Sequence, residues 1–248
     1  MLTGRTILVT GASSGIGARF ARICAKAGAA VVIGARRIDR LTALRDEIVA
    51  QGGRALAVAL DVADEASVIA AYDAAEAELG PVTGVVANAG INVEGRALDI
   101  AVEDFDRLFA INVRGVFLTA REGARRMRAA GLAEQGRIVL ISSITAQMRT
   151  PGTAPYSASK AAVTHLGKVL AREWRSGPNV NLLSPGYIRS ELAGDWFDTA
   201  EGERHIAQWP RKRLLDEDSL DATLLYLLSD ASRNVTGSDF VIDDGQSL

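Results

Sequence analysis

Cysteine and histidine are scarce in this chain: one thiol, Cys24, and two imidazoles, His165 and His205, are spread over 248 residues. A lone thiol closes no internal disulfide, and with two distant imidazoles it gives no metal-ligand spacing, so neither a disulfide framework nor a resident metal is expected. Cys24 falls within a helical pattern and is expected as a buried thiol, which fits a reducing, cytoplasmic setting. Excess charge is missing too. Against 30 Asp and Glu stand 28 Lys and Arg, a net charge of −2, which argues against nucleic acid or an anionic membrane as partner. No apolar run approaches the ~20 residues of a membrane-crossing helix, and no signal-like apolar segment opens the chain. Repeats and low-complexity stretches are also lacking, and nothing marks a domain boundary. The expectation is a soluble single domain over residues 1–248 with a small-molecule ligand.

Against those absences stands a regular alternation. Thr6–Thr10 is a short apolar run that enters Gly11-Ala-Ser-Ser-Gly15-Ile-Gly17, after which Ile16, Phe20, Ile23 and Ala27 recur at helical spacing. Residues 30–34 form a second strand, and Leu41, Leu44 and Ile48 mark a helix closed by Gly52-Gly53. The rhythm continues through a strand at 55–60 ending at Asp61, a helix with Val68, Tyr72, Ala75 and Leu79 inward, and a strand at 84–87 entering Asn88-Ala-Gly90. A long helix over 104–128, a strand at 137–141, a helix begun by Tyr156 and a strand at 179–184 entering Pro185-Gly186 follow. Near-continuous apolar strands predict a sheet covered on both faces, and the alternation predicts an α/β fold with a doubly wound parallel sheet. Such sheets bind ligands outside the carboxyl ends of their strands, where Gly11, Asp61, Asn88, Ser143 and Pro185 all fall. Residues from about 187 to 216 break the rhythm and are expected to form a lid; a helix carrying Leu220, Leu224 and Leu227 and a strand at 239–242 complete the chain.

The chemistry is expected between Ser143 and Lys160. Tyr156 and Lys160 stand four apart in Tyr-Ser-Ala-Ser-Lys, so a helix places phenol and ammonium on one face. A neighbouring cation favours the phenolate, and lowers the tyrosine pKa toward the range useful for general acid–base work. Pro155 suits the helix start and Pro151-Gly152 the loop before it. The glycines at 11, 15 and 17, placed between a strand and a helix, permit close backbone approach and direct N–H groups at a phosphate, as a dinucleotide requires. The same residues, Gly11-Ala-Ser13-Ser-Gly15, also match the nucleophile elbow of serine hydrolases. An elbow on the first strand, however, lacks earlier strands to supply its oxyanion donors.

Taken in order, these motifs resemble the short-chain dehydrogenase/reductase family over essentially the whole chain. Thr10–Gly17 is similar to its cofactor loop, Asn88-Ala-Gly90 to its sheet-stabilising motif, and Ser143 with Tyr156-Ser-Ala-Ser-Lys160 to its active site. Asn112 matches a fourth catalytic position, and Pro185-Gly-Tyr-Ile188-Arg-Ser190 the loop that holds the nicotinamide. The resemblance implies a Rossmann fold and an oxidoreductase that interconverts a ketone or aldehyde with an alcohol. It implies that Ser143 holds the substrate oxygen, Tyr156 moves the proton, Lys160 tunes Tyr156 and grips the nicotinamide ribose, and Asn112 anchors a water relay. The dinucleotide is expected against Gly11, Ser13, Ser14, Gly15, Ile16 and Gly17, then Arg36, Arg37, Asp61 and Val62. Asn88, Ala89 and Gly90, with Tyr156, Lys160, Pro185, Gly186, Ile188 and Ser190, are expected to complete that site. Two departures stand out: Ser190 replaces the usual threonine, and Val241-Ile-Asp-Asp-Gly-Gln246 departs from the usual valine-aspartate-glycine-glycine ending.

NADP is the expected cofactor, because the acid that holds the ribose hydroxyls of NAD at the end of the second strand is replaced by Ala35. Arg36 and Arg37 follow it, and a guanidinium there can pair with a 2′-phosphate. Several readings stay open. Asp61 suits a hydrogen bond to adenine or a helix cap, Asn112 a catalytic role or a packing one, and Trp196 and Trp209 a substrate pocket or lid packing. Arg121, Arg125, Arg126 and Arg128 form a basic stripe, read first as a solvated face and second as a docking site for an acyl carrier protein. That second reading is the only hint of a 3-oxoacyl-carrier-protein reductase. A dinucleotide-binding scaffold or sensor is the non-enzyme alternative, disfavoured by the intact Ser143, Tyr156, Lys160 and Asn112 set. A homotetramer is expected from the resemblance and from apolar Phe109, Val113, Val116 and Phe117.

Overall fold

Apolar runs become strands here because helices cover both faces of the sheet they form. The computed structural model describes residues 1–189 and 195–248. In it β1 (Thr6–Thr10) leads to α1 (Gly15–Lys26), β2 (Ala30–Ala35) to α2 (Ile38–Ala50), and β3 (Arg54–Ala59) to α3 (Glu65–Leu79). After β4 (Val82–Ala87) come α4 (Val102–Phe109), α5 (Val116–Ala129), β5 (Arg137–Ile141), α6 (Ala154–Glu173) and β6 (Asn179–Pro185). The short α7 (Ala200–Ile206), then α8 (Asp221–Leu228) and β7 (Asp239–Ile242), complete the order. Seven strands pair, all parallel, in the order β3-β2-β1-β4-β5-β6-β7. The winding direction reverses between β1 and β4, and that switch point opens a crevice at the carboxyl edge of the sheet.

Every residue of β1, β2, β4 and β5 is buried. One core packs Phe20, Cys24, Leu41 and Leu224 on one face of the sheet, and a second packs Tyr72, Leu118, Met127 and Val163 on the other. Each large apolar side chain so buried contributes about 1.5–3 kcal/mol, so the sheet is fixed by its layers and the loops at its edge are free to serve a ligand. Among the described residues no helix is long and apolar enough to cross a membrane, and no group of three His, Cys, Asp or Glu could hold a metal ion.

Two expectations need correction. The long helix over 104–128 is interrupted: Ala110–Gly115 is a π turn between α4 and α5. The Asn112 amide is held inward there by Ile91 and Ser159, and a Cβ on Gly115 would lie 2.6 Å from Val62 Cγ2, so an ordinary α turn is displaced by one extra residue. The basic stripe, too, is a solvated face only in part: Arg125 and Arg128 are exposed, whereas Arg121 and Arg126 are half-buried in ion pairs. Arg126 donates to Glu122, Glu76 and Asp73 at 2.7 Å each, Arg121 pairs with Glu65, Arg125 reaches Glu122 at 3.4 Å, and Arg128 leans on Gly177 O. Arg121 and Arg126 thus knit α5 to α3, while Arg125 and Arg128 keep their charge at the surface. Exposed apolar side chains occur instead on α4, where Val102 and Phe105 are 63% and 40% accessible and Phe105 stacks on Phe109 at 4.5 Å.

Candidate active site

The crevice is a cavity of about 830 Å³. Its first wall is mostly backbone. Gly11 turns out of β1 with φ +68, and a Cβ there would lie 2.8 Å from Ala89 Cα. A Cβ on Gly17 would fall on Gly11 O and Asn88 Nδ2, so the loop and α1 close on each other only without side chains. Asn88 fixes this shape by donating to Thr10 O at 2.9 Å, while Asn88 N and Ala89 N both donate to Thr10 Oγ1 at 3.0 Å. The amino end of α1 carries no side-chain cap from Ser14, and Gly11 and Ser13–Gly17 line the cavity. The loop therefore fits a dinucleotide's phosphates.

Arg36 and Arg37 line the same wall, with Arg37 donating to Ser13 Oγ at 3.0 Å and Ser14 Oγ at 2.8 Å. The Ser13 hydroxyl thus faces a guanidinium rather than an imidazole, and the nucleophile-elbow reading fails there. Asp61 and Val62 also line the cavity. Asp61 Oδ1 accepts from Ala63 N at 2.9 Å, whereas the cap of α3 is Asp64, whose side chain accepts from Ala66 N at 3.0 Å.

The second wall carries Ser143, Tyr156 and Lys160, brought together because β5 ends beside the first turns of α6. Pro155 lies in that opening turn, as its fixed φ suits. Ser143 Oγ hydrogen-bonds Tyr156 and accepts from Thr145 N at 3.2 Å. Lys160 Nζ donates to Ile141 O at 2.9 Å and stands 5.6 Å from the Tyr156 ring centre. Burial pushes Tyr156 up to about 12, with the Ser143 hydrogen bond opposing, and lowers Lys160 to about 8. Tyr156 is part-exposed only toward the cavity it lines, and that enclosure still withholds bulk water from a phenolate. Burial thus dominates the shift of Tyr156, opposite in direction to the depression expected from Lys160, whose ammonium is held by Ile141 O.

Asn112 lies one layer behind this wall. Its Oδ1 accepts from Ile91 N at 2.9 Å, and its Nδ2 donates to Ile91 O at 2.9 Å and Ser159 Oγ at 3.1 Å. It ties the Gly90–Ile91 loop to α6.

Pro185, Gly186, Tyr187 and Ile188 make the third wall, with Trp196, Phe197 and His205. Tyr187 N donates to Gln246 Oε1 at 2.6 Å, fixing the loop after β6. Trp209 is buried and stacks on Tyr187 at 5.2 Å, so of the two tryptophans only Trp196 is a lining residue. Ser190 lies outside the described residues, as do positions 191–194 of the expected lid. Asn92, Glu94, Thr150, Tyr187, Phe197 and His205 line the cavity without having been singled out in the sequence. The carboxyl-edge rule that located Asn88 would have found Asn92 and Glu94 just beyond it.

A doubly wound sheet with a glycine cradle at its switch point and a serine, tyrosine and lysine on the facing loops defines a dinucleotide-dependent class of oxidoreductase fold. Comparison with known proteins narrows the class. The family model described as short chain dehydrogenase matches residues 5–201, and the chain belongs to that family of oxidoreductases. It is 36% identical to the D-threitol dehydrogenase of Mycolicibacterium smegmatis over 100% of this chain and 94% of that one. A short-chain type dehydrogenase/reductase from Mycobacterium marinum superposes with a TM-score of 0.93 at 40% identity, covering 99% of this chain and 96% of that one. A gluconate 5-dehydrogenase from Burkholderia cenocepacia, solved with NADP and tartrate, superposes with a TM-score of 0.94 at 35% identity, covering 99% and 96%.

Proposed function

We propose that this protein is an NADP-dependent oxidoreductase that interconverts a ketone or aldehyde with an alcohol. The observation that carries the reading is the convergence of Ser143, Tyr156 and Lys160 on one cavity with the glycine cradle and Arg36. NADP, when bound, supplies or accepts the hydride at the carbonyl carbon. Ser143 Oγ holds the substrate oxygen, and Tyr156 Oη gives it a proton in reduction or takes one in oxidation. Lys160 stabilises the charge that develops on Tyr156 and holds the nicotinamide ribose. Asn112 positions the loop beside them. Gly11, Ser13, Ser14, Gly15, Ile16 and Gly17 bind the pyrophosphate, Asp61 and Val62 the adenine, and Arg36 with Arg37 the 2′-phosphate. Asn88, Ala89, Gly90, Pro185, Gly186, Ile188 and Ser190 complete the dinucleotide site, and residues 187–216 act as its lid. The NADP-bound Burkholderia relative supports the cofactor. Homotetramer assembly through the helices over 104–128 and 156–175, and a cytoplasmic location, belong to the same reading.

Tyr156→Phe tests it. Loss of the proton donor removes about 10²–10⁴ of the rate, while NADPH affinity, read by fluorescence titration, stays within about threefold because the change spares the phosphate loop. Retention of more than about a tenth of the turnover sinks the assignment.

A further inference from the structure

The substrate end of the cavity has one wall of hydrogen-bond acceptors and one of aromatic faces. Asn92 and Glu94 supply the first. Asn92 Nδ2 donates to Glu94 Oε1 at 2.8 Å, which leaves Asn92 Oδ1 buried with no hydrogen bond from any described residue. The loop that carries them is fixed to the loop before α6 by Gly95 N donating to Gly152 O at 3.1 Å. Tyr187, Trp196, Phe197 and His205 supply the second wall as an interlocked cluster: His205 packs edge-on to Trp196 at 5.4 Å and to Tyr187 at 5.9 Å, and Trp196 to Phe197 at 5.0 Å.

Charge at this end has one sign. The Glu94 carboxylate is near enough to Tyr187 to help raise its pKa, after burial, and burial lowers that of His205, disfavouring its charged form. The cavity's other basic residues are Arg36 and Arg37, at the glycine loop, and Lys160, bound to Ile141 O. Of the arginines near the expected lid, Arg189 is paired with Asp198, and Arg211 and Arg213 with Asp244. Residues 190–194 include no Lys or Arg in the sequence. Arg96, Arg149 and Arg204 are exposed and do not line the cavity, so a substrate carboxylate within it would meet Glu94 before any of these guanidinium groups. Hydroxyl groups, by contrast, would donate to the Glu94 carboxylate, which Asn92 Nδ2 holds, while their carbon skeleton lay its C–H face on Trp196 and Phe197.

We propose that this end of the cleft takes an uncharged, hydroxyl-rich substrate, a ketose or the corresponding alditol, and turns away sugar acids. The proposal rests on the oxidoreductase reading above and deepens it by naming the substrate class. Asn92, Glu94 and Trp196 are its specificity-determining residues.

The test titrates the NADP-loaded protein with xylitol, sorbitol, sodium gluconate and cyclohexanone, following tryptophan fluorescence for binding and absorbance for turnover. At least one alditol is expected to bind about tenfold or more tighter than gluconate at low salt, and the gap narrows as ionic strength screens the exposed Glu94. Glu94→Gln, which keeps an acceptor beside Asn92, is expected to bring gluconate to within about threefold of the alditol. Gluconate bound as tightly as the alditols by the unaltered protein, tightest binding by cyclohexanone, or a ratio unmoved by Glu94→Gln would each overturn the proposal. Alditol binding without turnover would overturn the oxidoreductase reading and leave the specificity of the pocket standing.

Discussion

The two ends of the cleft are built from different materials. At the dinucleotide end the wall is main chain: Gly11 and Gly17 approach Ala89 and Asn88 so closely that side chains are excluded, and the Asn88 amide is consumed in holding β1 to β4. At the substrate end the wall is side chain, with Asn92, Glu94, Trp196 and His205 presented from the loops after β4 and β6. A backbone wall recognises what every dinucleotide shares and tolerates no added volume. A side-chain wall can be rewritten residue by residue.

The contrast is broken most severely at Gly17. Gly17→Ala puts a methyl onto Gly11 O and Asn88 Nδ2, and with an overpacking cost of about 1–3 kcal/mol in a wall that cannot move, NADPH affinity should fall by about ten- to a hundredfold. Isothermal titration reads this directly. Unchanged affinity would mean that the loop is pliable and that the contrast between the two ends is false.

Arg36 sharpens the comparison, because it is the side-chain exception at the backbone end. A hydrogen bond to a charged group contributes about 1.5–3 kcal/mol, so the protein should prefer NADPH over NADH by about ten- to a hundredfold in kcat/KM. Combining Ala35→Asp with Arg36→Ala should erase or reverse the preference. Equal use of the two cofactors by the unaltered protein would remove Arg36 from the phosphate site, leaving Arg37, which already holds Ser13 and Ser14, as the nearer guanidinium.

The smallest effect is on stability. Lys160 is depressed by burial from 10.5 to about 8, so between those values the unfolded chain binds more protons than the folded one, and this group makes the fold more stable as pH rises through that window. Below about pH 8 its charge is a standing cost of up to about 3 kcal/mol at 1.36 kcal/mol per pKa unit. Lys160→Met should therefore raise the melting temperature by a few degrees at pH 7 while abolishing turnover, and that gain should shrink toward pH 10. A fall in melting temperature at pH 7 would show that the bond to Ile141 O outweighs the desolvation.

How much of this could be read from the sequence follows the same division. The glycine loop, Asn88, and the Ser143, Tyr156 and Lys160 set were legible because backbone proximity and proton transfer each demand particular residues at fixed spacing. Asn92 and Glu94 were reachable only by position, just past the carboxyl end of β4, since a pocket wall of side chains obeys no fixed residue spacing. The partners of Arg126 lie on α3, far away in sequence, so a row of arginines read in isolation looked solvated. The direction of the Tyr156 shift was missed for a related reason: the distance to Lys160 is local, whereas desolvation sums over the whole fold.

The π turn at Ala110–Gly115 also governs angular phase. Each helical residue advances the chain by about 100°, so the extra residue sets the azimuth of α4 independently of α5, letting Phe105 and Phe109 look outward while Ala120, Ala124 and Met127 look into the sheet. Deleting one residue there would restore a regular helix and swing Phe105 and Phe109 by about that angle. The Asn112 side chain would lose its register with Ile91 in the same motion.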